Sequence, residues 1–283
     1  MAEKAKYEPR ELRACKAVLS EIMNILSEYL DNIVLIGGNV PPLLFPDREE
    51  DYLGTIDVDL AVDPADSGVI TLQHIVDSLL GAGYRRGDYH FRLERAVHLA
   101  GENEPVMIFV DLLATADTGV DQEESDFFEM GIKFLETESC RLAFDNNEEK
   151  TIEGNLPDGS VYRGRIRIPG TLQLIAMKGL AWEDRKDDKD AYDIYFCLDL
   201  GKDDLDTLIT QGSQFVEEGQ TKRSLQYVER NFRTVEHPGP VAVARFMEIA
   251  DMEEKEIIKR DASEKVTYFV KGLGIKSVLD FGL

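Results

Sequence analysis

Apolar residues recur at helical spacing from Glu8 to Leu30, where Leu12, Cys15, Val18, Leu19, Ile22, Ile25, Leu26 and Leu30 form one stripe of an amphipathic helix. The period then changes. "NIVLIGG" is a short apolar run ending in a glycine pair, which predicts a buried strand over Asn32–Ile36 followed by a turn. A short helix or turn through "NVPPLLF" and a polar loop "PDREEDYLG" lead into "TIDVDLAVD", a second strand. "SGVITLQHIVDSLLGAG" returns to the helical period, with Gly81 and Gly83 as its stop. "HFRLERAVHLA" alternates and "PVMIFVDLLATA" is nearly all apolar, so both predict strands. Signals weaken between Thr115 and Gly159, with a loop expected at "ADTGVDQEES" and a turn at "LPDGS". "VYRGRIRIP" alternates again.

After Pro169 only helical patterns follow: "TLQLIAMKGLAWEDR", "KDAYDIYFCLDL", "DDLDTLITQGSQFVEEG", "RSLQYVERNF", "PVAVARFMEIADM" and "EIIKRDASEKVTYFVKGL". The order predicts an α+β protein, with a mixed sheet and flanking helices over residues 1–168 and an all-helical domain over 169–283.

Two residues break the strand pattern. Aspartate is depleted in strands, yet Asp57 and Asp59 interrupt the apolar run of Ile56, Val58, Leu60, Ala61 and Val62. Residues two apart on a strand project to one face, so the two carboxylates repel unless a cation lies between them. A third, Asp111, is flanked on both sides by apolar residues in "VMIFVDLLA", where a lone ionised carboxylate needs a partner charge, a hydrogen-bond network or a metal. Hard cations such as Mg²⁺ take oxygen ligands and complete their shells with substrate phosphates. Two such ions about 4 Å apart clamp the attacking and leaving oxygens of a phosphoryl displacement. Upstream, Gly37-Gly38 either lets backbone approach a phosphate or serves a tight turn that needs glycine.

Charge limits the partners. The chain has 32 Lys and Arg against 55 Asp and Glu, a net charge of −23, which excludes a generally basic surface for gripping nucleic acid. Runs such as "DMEEKE" read as solvated faces. Arg163, Arg165 and Arg167 share one strand face, where they either guide a phosphate-bearing substrate or deter edge pairing. No apolar run approaches the roughly 18 residues of a membrane span, and "MAEKAKYEPRELRACKAV" has no apolar signal core, so the expectation is a cytoplasmic protein without a membrane partner. Cys15, Cys140 and Cys197 are odd in number and far apart, which fits reduced thiols. The histidines lack metal-ligand spacing, His74 reading as a core residue, and Trp182 reads as helix packing.

"LIGGNVPPLLF", "TIDVDL" and "IFVDLL" together resemble the polymerase-beta-type nucleotidyltransferase superfamily, whose pattern is a glycine pair, a D-x-D strand and a third strand aspartate. "IAMKGLAWEDRKDDKDAYDIYFCL" resembles its AbiEii-like branch, toxins of type IV toxin–antitoxin and abortive-infection systems, in a helix lysine (Lys178) and a basic-Asp-x-x-Asp signature (Lys189-Asp190, Asp193). The resemblance departs at Leu53, where arginine is common, and at Pro41-Pro42.

It implies a nucleotidyltransferase that moves a nucleoside monophosphate from an NTP to a hydroxyl acceptor: RNA, especially a tRNA 3′ end, a small molecule or a protein. A cognate antitoxin is the implied protein partner. On that resemblance Asp57, Asp59 and Asp111 hold two Mg²⁺ ions, Asp111 either binding the second or deprotonating the acceptor. Gly37, Gly38 and Thr55 line the phosphates, Lys178 and Lys189 meet the nucleotide, and Asp190 and Asp193 orient Lys178 or a nucleotide group. The alternative for these last residues is a helix–helix salt bridge. The alternative for the whole chain is a catalytically silent binding or protein-interaction module on the same fold.

Overall fold

Helix α1, Pro9–Ile25, starts with proline in its first turn and with the Glu11 carboxylate accepting from the Glu8 N–H at 2.9 Å. Its buried face is Ala14, Cys15, Val18, Leu19, Ile22 and Met23. The α-helix stops before the predicted Leu30, which is buried in a separate 3₁₀ turn, Leu30–Asn32. This structure is a computed structural model describing residues 7–99, 104–115, 132–216 and 219–276, and of residues 64–71 the backbone alone. The loop expected at "ADTGVDQEES" lies outside the described residues.

The chain is α+β, with a mixed sheet and many helices. Strands β1 (Ile33–Ile36), β2 (Asp57–Val62), β3 (Arg85–Arg86), β4 (Arg92–Val97), β5 (Val106–Thr115) and β6 (Leu135–Thr137) form one sheet, ordered β1-β2-β5-β4-β3 with β6 beside β5. β2 and β5 run parallel, and helix α3, Pro64–Gly81, lies between them in the chain. β1 and β4 flank them antiparallel, while β6 continues the β4 side of β5 in the parallel sense. Strand β7 (Asn147–Asn155) and β8 (Val161–Pro169) form a separate hairpin, preceded by α4, Cys140–Asp145. Its turn is closed by Leu156 N–H donating to Ser160 O, with Gly159 at φ +87° where a side chain would be strained.

Two compact units are present. The sheet unit comprises residues 5–43 and Leu53–Gly170. The second joins Leu44–Tyr52 to the chain from Thr171 onward. In the latter, α5 (Thr171–Arg185), α6 (Asp188–Leu198), α7 (Lys202–Gly212), α8 (Gln220–Phe232), α9 (Pro238–Phe246) and α10 (Met252–Gly272) follow in order. Among the described residues no helix is long and apolar enough to cross a membrane.

Three further expectations change. His74 is exposed, because Leu72, Ile75, Val76 and Leu79 form the buried stripe of α3 and position 74 turns away from it. Helix α9 ends at Phe246 rather than running to Met252, since Glu248 takes a positive φ of 51° and Asp251 caps a new helix through Glu254 N–H. The polar loop before β2 contains a 3₁₀ segment, Pro46–Asp51. Trp182 is buried and meets Tyr227 and Phe232 edge to face, as packing requires.

Helices α5 and α8 approach closely at Gly179. A Cβ there would lie 2.2 Å from Ser224 Oγ and 2.8 Å from Val228 Cγ2, and Ser224 Oγ is fixed by donating to Ala176 O at 2.7 Å. Glycine to alanine within a helix ordinarily stabilises by about 0.5–1 kcal/mol. Gly179→Ala should instead cost about 1–3 kcal/mol through overpacking, read from urea unfolding. A more stable variant would contradict this close approach.

Candidate functional site

Register decides which side chains share a face. Val58 pairs with Val110 and that with Leu93, placing apolar side chains on the face that α1 also meets, where Glu21 accepts from Arg95 and from Tyr84. Asp59 pairs with Asp111, and Asp111 with Arg92, so these three fall on the opposite face. Asp57, beside Phe109, joins them. The sheet thus brings the three predicted carboxylates to one face. Asp57 and Asp59 are half-buried and Asp111 is buried.

The glycine pair forms part of the same corner. Gly37–Asn39 is a 3₁₀ turn immediately after β1, with Gly37 at φ +74°. A Cβ on Gly37 would fall 1.9 Å from Asp59 Oδ2, so both backbone angle and space demand glycine. Asn39 Nδ2 donates to Asp57 O at 2.7 Å and fixes the start of β2. Thr55 is buried just before that strand. Burial pushes the Cys15 thiol up to about 12, with Asp57 and Asp59 adding and the Asn39 hydrogen bond opposing, so this neighbour stays neutral.

Arg92 was not anticipated. Its Nε and Nη2 donate to Asp111 Oδ1 and Oδ2, both at 2.7 Å, and its guanidinium lies 4.9 Å from the Phe109 ring centre and 5.4 Å from that of Tyr89. The bond to Asp111 raises the Arg92 pKa against the opposing effect of burial, and the charges of Asp111, Asp57 and Asp59 add to the rise. Three carboxylates are donors of the kind Mg²⁺ prefers, and their strand positions fit a shared cation. Their present arrangement differs, because Arg92 engages Asp111. Among the described residues no three His, Cys, Asp or Glu side chains are gathered as a metal group. At the far end of β2 a fourth acid, Asp63, accepts from Thr115 Oγ1 at 3.2 Å and pairs with Arg141 at 3.4 Å.

In the other unit, α5 and α6 are joined by a buried ionic network. Lys178 Nζ lies 2.6 Å from Asp193 Oδ2 and 3.2 Å from Asp190 Oδ1. Arg185 chelates Asp190 with two 2.7 Å bonds. Lys189 Nζ meets Asp193 Oδ2 at 3.2 Å and donates to the Tyr52 hydroxyl at 3.0 Å, while that hydroxyl donates to Asp193 Oδ1 at 2.8 Å. Asp190 and Asp193 are fully buried. The helix–helix salt bridge is therefore present, together with a tether to Leu44–Tyr52 that spacing did not disclose. Burial alone would push Asp193 up, but Lys178 and Lys189 outweigh it and hold the carboxyl below its ordinary range. Burial dominates at Lys189 and lowers it, against the pull of Asp193, whereas at Lys178 the same burial is overcome by Asp193 and Asp190 and the pKa is raised.

The arginines of β8 are matched by acids or amides. Arg163 lies 4.0 Å from Glu153, Arg165 pairs with Glu149 and Asp31 at 2.9 Å, and Arg167 donates to Asn147 Oδ1 at 2.9 Å. All three cysteines are buried free thiols. Comparison with family models, curated proteins and solved structures finds no match.

Removing one partner from a buried ion pair costs about 3–5 kcal/mol, so Asp193→Asn should lose that much in urea unfolding near neutral pH. Because the folded pKa of Asp193 is depressed, its stabilisation is present above the unfolded value and is lost as pH falls through the folded one. The gap between wild type and variant should therefore shrink below about pH 4. A gap that stays constant on acidification would remove Asp193 from the network's ionic balance.

Proposed function

We propose that the chain is a Mg²⁺-dependent nucleotidyltransferase that moves a nucleoside monophosphate from an NTP to a hydroxyl acceptor and releases pyrophosphate. One observation carries this reading: the β2–β5 register sets Asp59 beside Asp111, with Asp57 two residues away on the same face and the Gly37 turn pressed against Asp59. Sequence patterning alone cannot arrange that coincidence, since it needs both strands in one register.

Asp57 and Asp59 would hold the cation that bridges the triphosphate, and Asp111 a second cation or the acceptor's proton. When bound, the metal supplies charge neutralisation for the phosphate oxygens during in-line displacement. Gly37 and Gly38 would admit phosphate close to the backbone. Thr55 sits at the entry of the same strand. The resemblance gives Lys178, Lys189, Asp190 and Asp193 nucleotide roles; within their own unit they supply a braced ionic core. The chain is read as cytoplasmic.

The resemblance also implies an RNA 3′ end as acceptor and an antitoxin as partner. The net charge of −23 and the matched arginines of β8 weigh against an extended basic track for RNA, and favour a small molecule or a protein hydroxyl. A second reading has its own support. The bidentate Arg92–Asp111 pair already neutralises one of the three carboxylates, as expected of a catalytically silent nucleotidyltransferase-fold module that binds a partner instead.

Titration calorimetry with ATP, CTP, GTP and UTP in Mg²⁺, on wild type and on Asp57→Ala/Asp59→Ala, separates the two. The enzyme reading expects metal-dependent binding of at least one nucleotide, lost in the double variant. Absence of binding by all four, with wild type and variant alike, leaves the silent module standing.

A further inference from the structure

We propose that Arg92 is a built-in counter-ion that competes with a divalent cation for Asp111, so that loading the acidic face requires the Arg92–Asp111 bond to open. The inference rests on the reading of Asp57, Asp59 and Asp111 as a cation site, and adds to it a residue that controls occupancy.

Geometry carries the argument. Arg92 stands directly opposite Asp111 in the β4–β5 register and uses two nitrogens to occupy both carboxylate oxygens at 2.7 Å. Neither side chain is freely solvated, with Arg92 22% and Asp111 12% exposed, so the pair is weakly screened. A guanidinium fixed there faces three aspartates on the same sheet face and repels any second cation brought among them. The Phe109 and Tyr89 ring centres lie 4.9 Å and 5.4 Å from the guanidinium carbon while it holds Asp111, so the rings would continue to stabilise the charge if it stayed beside them when that bond opened. Tyr89 is 56% exposed, which leaves that side open to solvent. One positive charge serves this carboxylate at a time: the guanidinium when no metal is bound, and the metal once the Arg92–Asp111 bond has opened. Mutual exclusion links the two events, so the factor by which the Arg92–Asp111 bond weakens metal binding equals the factor by which bound metal weakens that bond.

The experiment measures Mn²⁺ affinity by electron paramagnetic resonance for wild type, Arg92→Gln, Arg92→Lys and Asp57→Asn/Asp59→Asn. Arg92→Gln should bind Mn²⁺ roughly tenfold more tightly than wild type, within the usual span of linked binding events. Arg92→Lys should fall between them, since lysine keeps the charge and loses the two-pronged contact. An independent readout needs no neutral variant: Mg²⁺ titrated into the wild-type protein should shift the Arg92 Nε–H resonance, assigned by its loss in Arg92→Lys. If Mn²⁺ binding depends on Asp57 and Asp59 while both Arg92 variants match wild type and the resonance stays still, the counter-ion role is overturned and the cation site survives. If no protein binds Mn²⁺, Arg92→Gln included, the cation site falls and the counter-ion role falls with it.

Discussion

Carboxylates that leave neighbouring strands on one face repel each other, and the polar face of the sheet unit is organised around containing that repulsion. Register makes the problem unavoidable, because Asp59 sits beside Asp111 and Asp57 projects to the same side. The protein answers with a guanidinium on the next strand and with a turn lacking a Cβ where Asp59 needs room. Asn39 fixes the start of β2 through Asp57 O and so holds the register in place. The opposite face needs none of this, since Val58, Leu60, Val110 and Leu112 are completely buried.

The second unit meets the same electrostatic cost differently. There Asp190 and Asp193 are withdrawn from water altogether, which is tolerable only when each carboxylate has close, well-oriented partners. Asp190 has Arg185 and Lys178, and Asp193 has Lys178, Lys189 and the Tyr52 hydroxyl. Such a network specifies one helix pairing, because sliding α6 along α5 would strand a buried charge. In the sheet unit Asp57 and Asp59 are half-buried, whereas Asp111 is buried and held by Arg92.

Much of the architecture was legible in the chain. Period changes located β1, β2, β4, β5, β8 and the core of α3 and α5, because each buries a stripe or alternate positions of apolar residues. Strand β7 was not, since "NEEKTIEGN" buries only Ile152 and is held by backbone pairing to β8. The short α4 and β6 lie where periodicity has too few residues to register. Within the candidate site, Asp57 and Asp59 announced themselves as charges inside an apolar strand. Arg92 did not, because alternation in "HFRLERAVHLA" gives its face and not its neighbour, and only the pairing of β4 with β5 sets it opposite Asp111. Likewise Tyr52 ends a polar loop and gains its meaning from Asp193, 141 residues later.

That long reach has a temporal side. Leu44–Tyr52 belongs with the helices that begin at Thr171, so its Arg48 and Tyr52 find their partners Asp199 and Asp193 only after 151 and 141 further residues have been made. On a translating ribosome adding about 5–20 residues per second, the segment waits several seconds or more without them. The sheet unit, whose chain runs on both sides of this excursion, can complete its strand pairing in the meantime, whereas the helical unit cannot close until its final third has emerged. Folding order is thereby written into the connectivity, and a cut at the visible boundary would produce two fragments of which the second lacks a piece of its own interior.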